Sequence, residues 1–233
     1  MAIEPTHKHK RRADQAYAII KGEIIRGILA ADAQISEAEV SERLGFSRTP
    51  VREALIKLAE EGLVKIVSQV GTFVAPISVA QVNEAGFVRE HLECALIVEA
   101  ATRIDAVGAQ RLHHNILQQE QAVRANDLEQ FHVLDEAMHE CLTEVAGYPT
   151  IWRIIQQSKI HMDRVRYASL RLPDGLSPVF AEHRAIVDAV LRGEGAEAQK
   201  ALRDHLRGFF KKLKILGIDE TAGNARPPSE EAS

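Results

Sequence analysis

The stretch from Ser36 to Gly62 constrains the fold of this chain more than any other. Ser36-Glu37-Ala38-Glu39 has the S-x-x-E spacing of a capping box, so a helix opens there. Val40 and Leu44 fall on one face of it, and Gly45 ends it. Only Phe46 and Ser47 follow before a second helix begins. Ser47 is a suitable N-cap, and Pro50 lies in the first turn, where a missing N–H is no loss. Val51, Leu55 and Leu58 form its inward stripe, and Gly62 stops it. Two short amphipathic helices joined by so tight a turn predict a helix-turn-helix.

The flanks extend that unit. Upstream, over 13–29, Tyr17, Ile20, Ile24 and Ile28 recur at steps of three and four, which predicts another amphipathic helix. Downstream the period changes. Leu63-Val64-Lys65-Ile66-Val67 and Thr72-Phe73-Val74 are β-prone, and Ser68-Gln69-Val70-Gly71 is a turn between them. Residues 13–76 are therefore expected to form a winged helix-turn-helix, three helices plus a small β-hairpin, preceded by a flexible basic arm over 1–12.

Pro76 closes the segment, and 75–78 is the natural domain boundary. Beyond residue 79 the pattern is helical, with candidate segments 79–106, 108–125, 127–146, 149–171, 178–192 and 195–216. Asn126 with Glu129, and Ser177 with Pro178, mark helix starts. Gly147, Pro173-Asp174-Gly175 and Gly193-Glu194-Gly195 mark breaks. The fold class is mainly α, with the winged unit followed by an all-α antiparallel helical bundle over 79–216. Residues 217–233 are polar and Pro-containing, and are predicted to be disordered.

Composition narrows the setting. Hydrophobic residues make up 45% and charged residues 27%, enough apolar matter for a buried core. No apolar run approaches the ~20 residues a membrane span needs. The basic start MAIEPTHKHKRR lacks the apolar stretch of a secretory signal, so a cytoplasmic setting without membrane contact is expected. Cys94 and Cys141 stand apart without a CxxC spacing and read as buried thiols. The net charge of −4 is unevenly spread: residues 1–75 hold 11 Lys/Arg against 10 Asp/Glu, while 76–233 hold 18 against 23. The excess of cations at the N-terminal end suits contact with a polyanion.

The second helix of the pair opens with Arg48-Thr49-Pro50-Val51-Arg52. Arg48 and Arg52 are four apart, on one face opposite Val51, Leu55 and Leu58. A guanidinium fork can donate two hydrogen bonds to guanine O6 and N7 in the major groove. Ser47 and Thr49 can donate to phosphates beside the helix N-terminus. The alternative is that both arginines are solvated surface charges paired with Glu53 or Glu42.

Ile35-Ser36-Glu37, then Glu39-Val40-Ser41-Glu42-Arg43-Leu44-Gly45-Phe46-Ser47-Arg48-Thr49-Pro50-Val51-Arg52-Glu53-Ala54-Leu55, with Leu58 and Glu61-Gly62-Leu63-Val64, closely resembles the GntR family of bacterial regulators. The resemblance implies that Arg48 and Arg52 read bases and that the hairpin turn at Gly71 approaches the minor groove. Many relatives carry a basic residue or His just before the wing glycine. Here it is Val70, which leaves Gln69 as the candidate for the wing contact. Some relatives have an arginine early in the preceding helix where this chain has Ala38.

The helical part resembles the FCD domain of the FadR-like branch of that family. The carrying residues are Val88-Arg89-Glu90-His91-Leu92-Glu93, Asp135 to His139, His183 and His205. The residues also make a case of their own. Asp135 and His139 are four apart, one turn apart on a helix face, and a bundle can bring His183 and His205 to the same interior point. His132 shares that face, so spacing alone would also permit it. One carboxylate and three imidazoles suit a divalent transition metal, zinc first, with nickel or manganese as alternatives. Open coordination positions would receive a small organic acid, with Arg89 as its second anchor and Arg164 and Arg166 as further candidates.

The expected function is thus a homodimeric repressor on double-stranded DNA, bound to a short palindromic operator and released by a carboxylate effector. A rival reading from another class is a metal-dependent hydrolase using the Asp/His set. A third is a structural DNA-organising protein, which would show no ligand response.

Overall fold

The computed structural model describes residues 4–172 and 175–218. The chain separates into two compact units, the first ending at Ser78 and the second beginning at Val79.

In the first unit, α1 spans Glu4–Ile25, α2 Glu37–Leu44 and α3 Arg48–Glu60. The Ser36 side chain accepts from Glu39 N, and Gly45, in the left-handed region at φ 65°, caps the other end of α2. Ala16, Ile20 and Ile24 on α1 pack with Val51, Leu55 and Leu58 on α3, all at most 1% exposed. Helix α1 begins at Glu4, where a flexible arm was expected, and the ring of Phe46 carries the Arg12 guanidinium above it. At the other end α1 stops at Ile25, short of the expected residue 29. This leaves Ile28 62% exposed instead of in the stripe.

Strands β1 (Gln34–Ile35), β2 (Val64–Val67) and β3 (Gly71–Val74) form an antiparallel sheet in the order β1-β3-β2. The hairpin was legible from its β-prone runs. The two-residue β1, paired Gln34 with Phe73 and Ile35 with Thr72, is too short to show a period. Gly71 suits its place through its φ of 150°, which disfavours other residues; a Cβ there would also lie 2.7 Å from the Gln34 amide nitrogen, the movable end of that side chain.

The second unit contains α4 (Val79–Arg103), α5 (Ala106–Ala125), α6 (Leu128–Val145), α7 (Pro149–Ser158), α8 (Ile160–Leu170), α9 (Leu176–Leu191) and α10 (Gly195–Ile215). Helix α10 packs on α4 and α9, α5 on α6 and α9, and α4 on α6. Their shared core includes Ile97, Leu112, Met138, Leu142, Ile186, Val190 and Leu202. At Gly86 a Cβ would collide with the Phe210 ring, so this glycine is what lets α4 and α10 approach.

Three sequence expectations change here. The segment 149–171 is two helices, broken at Lys159, which has neither Gly nor Pro beside it. The break goes with burial of its ammonium, 2.7 Å from both Glu136 and Asp163. Asn126 ends α5 in the left-handed region, and Asp127 is the residue that caps α6, accepting from Gln130 N at 2.9 Å. Helix α9 starts at Leu176, ahead of Ser177 and Pro178. Of the tail expected to be disordered, residues 219–233 lie outside the described residues. Among the described residues no helix is long and apolar enough to cross a membrane.

Candidate nucleic-acid interface and metal centre

Ser47, Arg48, Thr49 and Arg52 are all exposed at the N-terminal end of α3. The Ser47 side chain makes no cap bond to the helix, so the first amides of α3 stay open to an external acceptor. Arg52 is paired with Glu37 of α2, not with Glu53 or Glu42, through Nε at 3.0 Å and Nη2 at 2.8 Å. Glu53 meets His9 instead. The hydrogen bonds from Arg52 hold the Glu37 carboxyl below its ordinary value, outweighing its slight burial. In the wing, Gln69 takes the left-handed conformation at φ 61°, and Val70 beside it is 63% exposed.

The second unit brings Asp135, His139, His183 and His205 together. One ligand atom from each lies within 4.8 Å of all the others, and every one of the four is buried. Asp135 and His139 come from α6, His183 from α9 and His205 from α10. Asp135 Oδ1 lies 3.0 Å from His183 Nε2 and 3.6 Å from His139 Nε2. None of these three atoms has a hydrogen-bond partner, despite complete burial. Buried donor atoms that converge this closely without hydrogen-bond geometry fit a cation between them. Two outer nitrogens are hydrogen-bonded: Nδ1 of His183 lies 2.8 Å from Gln119 Oε1 and that of His205 2.7 Å from Glu182 Oε2. Nδ1 of His139 lies 2.7 Å from Glu93 Oε2, an ion-pair contact without hydrogen-bond geometry. Acceptors behind each imidazole are the usual support of metal-ligating histidines. The donor set therefore fits a divalent transition ion.

Charge in this interior is paired. Arg89 donates to Glu93 at 2.5 Å, and the Arg166 guanidinium meets Asp135 Oδ2. Burial alone would raise the Asp135 carboxyl, but Arg166 and then His183 and His139 pull it well below the usual range. Burial lowers His183, and lowers His205 well below the ordinary imidazole value, which disfavours the charged form that could not ligate a metal.

Beside the cluster lies a cavity of about 50 Å³, with Asp135 and His205 in its wall together with Arg89, Arg166, Glu182 and Lys212. Arg164, the third arginine expected at an effector, is buried on α8 but is not among the lining residues. Nor does His132 join the four-residue set. It belongs to a second, less buried group with Asp135 and Glu136, and its ring packs edge-on to Tyr167.

Sequence reasoning missed Lys212, Glu182 and Gln119 as site residues. Lys212 follows His205 by seven positions, two turns along one face, and that spacing was available. Gln119 sits in the buried stripe Leu112, Asn115, Gln119, Ala122 of α5, where a polar residue calls for a buried partner.

A winged helix-turn-helix joined to a helical unit with a buried Asp/His centre defines a class of DNA-binding regulators. Residues 12–74 match the gntR family of bacterial regulatory proteins, and residues 84–208 match the FCD domain. The chain is 38% identical over 205 residues to the HTH-type transcriptional repressor RspR of Escherichia coli K12, covering 87% of this chain and 89% of that protein. Among solved structures it is similar to E. coli McbR/YncC, with TM-score 0.74, 18% identity, and coverage of 88% and 98%. It is also similar to a GntR regulator from Rhodococcus sp. RHA1, with TM-score 0.72, 23% identity, and coverage of 90% and 99%. The chain belongs to the gntR family, carries an FCD domain, and is a transcriptional regulator. The hydrolase reading falls with this result, since the relatives are regulators rather than enzymes.

Proposed function

We propose that this regulator is a homodimeric repressor that acts in the cytoplasm on a short palindromic operator. A small carboxylate bound beside a divalent metal releases it. Zinc is the first candidate, with nickel or manganese as alternatives. The observation that carries this reading is the placement of the Asp135/His139/His183/His205 cluster beside a cavity that also contains Arg89, Arg166 and Lys212.

Those four residues would hold the ion, which when bound supplies Lewis-acid positions for a carboxylate oxygen. The chain's own groups do the rest. Arg89 and Arg166 hold Glu93 and Asp135 in place and present their remaining N–H donors to the cavity, and Lys212 adds a flexible ammonium. On DNA, Arg48 and Arg52 would read base edges, and Ser47, Thr49 and the first amides of α3 would hold phosphate. Gln69 and Gly71 would carry the wing towards the minor groove. The acid favours one of two arrangements of the dimer and so shifts the population away from the DNA-competent one.

A thermal-shift screen of small carboxylates tests this. Metal should raise the melting temperature, and an effector acid should raise it further in a dose-dependent way only in the metal-loaded protein. No stabilisation by any divalent ion would sink the metal reading. Equal shifts with and without metal would sink the coordination of the acid.

A further inference from the structure

The three imidazoles of the cluster are supported by chemically different partners. His139 and His205 turn Nδ1 towards carboxylates, Glu93 and Glu182, each at 2.7 Å. An ionised carboxylate can only accept. At His205, hydrogen-bonded to Glu182, this places the N–H on Nδ1 and leaves Nε2 with its lone pair; at His139 the nearby Glu93 carboxylate favours the same tautomer by charge, without hydrogen-bond geometry. His183 differs, because its outer partner is the amide of Gln119. An amide can offer either its oxygen or its NH2 group. With NH2 towards the ring, Nδ1 would have to accept, and the proton would sit on Nε2, 3.0 Å from Asp135 Oδ1. A ring in that state cannot ligate a metal through Nε2.

The neighbouring helices remove the ambiguity. The Leu134 carbonyl on α6 can only accept, and Asn115 Nδ2 donates to it at 2.9 Å. Asn115 Oδ1 is thereby turned to Gln119, whose Nε2 donates to it at 2.7 Å. Gln119 must then present Oε1 to His183, 2.8 Å from Nδ1, and that contact can only be a hydrogen bond donated by Nδ1–H. Gln119 and His183 are wholly buried and Asn115 is 8% exposed, so bulk water does not substitute for any member. A carboxylate at 119 would also fix the ring, but would add charge to an interior that already holds Asp135, Glu93 and Glu182.

We propose that the Leu134 carbonyl, Asn115 and Gln119 form a relay that fixes the tautomer of His183, which makes Asn115 and Gln119 positioning residues of the metal site. The inference rests on the metal reading for its purpose, but the tautomer itself can be measured without metal.

In the metal-free, otherwise intact chain, ¹H–¹⁵N correlation spectra of the imidazoles should show His183 protonated on Nδ1. Gln119→Met, similar in volume but without the amide acceptor, should lose that preference and bind zinc about 10–100-fold more weakly. Gln119→Glu, which can only accept, should keep the tautomer. A proton on Nε2 of His183 in the unmutated chain, or unchanged zinc affinity in Gln119→Met, overturns the relay. If the unmutated chain takes up no divalent metal yet shows the Nδ1–H tautomer, the relay stands and the metal reading falls. Should Gln119→Met fail to fold, the spectra of the unmutated chain and of Gln119→Glu decide.

Discussion

Arg52 and Arg166 each meet a carboxylate, yet the two contacts differ in kind. The Arg52–Glu37 pair is on the surface, its arginine side chain 64% exposed, so an external anion can displace Glu37 without leaving it stranded. The Arg166–Asp135 pair is 9% and 2% exposed, and removing one partner strands the other in a buried site. The first unit keeps its cations available for exchange with a polyanion. The second uses them to hold acids and imidazoles in fixed positions, where a small ligand meets a prepared site.

This contrast can be broken experimentally. The largest effect is expected from His183→Ala combined with His205→Ala, which should abolish bound metal by elemental analysis. Stoichiometric metal in that variant would mean the ligands lie elsewhere. Next comes Arg166→Met, which leaves Asp135 buried without its guanidinium and should destabilise the metal-free protein by about 3–5 kcal/mol in urea unfolding. A change near zero would place that pair with the surface contacts.

Arg48→Ala and Arg52→Ala should each weaken specific DNA binding about 5–150-fold and relax base preference, with metal content unchanged. Unchanged affinity would remove α3 from base reading. The smallest effect belongs to Glu37→Gln, which frees Arg52. It should tighten DNA binding by no more than about fivefold, with a shallower salt dependence of stability than of binding. Weaker binding in that variant would mean Glu37 positions Arg52 rather than competing for it.

The two units also differ in how far they could be read from the sequence. Local signals fix the first: Ser36 and Gly45 bracket α2, and Gly62 follows α3, each within a turn of the residues it controls. What escaped there was β1, two residues whose pairing with β3 spans nearly forty positions. In the second unit the helices were legible by period, but the break at Lys159 has no Gly or Pro to mark it, and its buried ammonium pairs with Glu136 on α6 and Asp163 on α8. The Asp135–His139 turn was visible as a spacing, and His183 and His205 were reached through the resemblance to FCD domains. Their supporting acceptors, Glu93, Gln119 and Glu182, were not recognised, because a side chain behind a ligand carries no spacing rule of its own.

The proposed link between the DNA reader and a metal-centred ligand site in the same chain is tested by one titration. A labelled palindromic duplex, selected by this protein from random DNA, is titrated with metal-loaded and chelated protein, each with and without the carboxylate that most raises the melting temperature. The acid should weaken binding to the duplex in the metal-loaded protein and leave the chelated protein unaffected. Four superimposable isotherms would contradict that link.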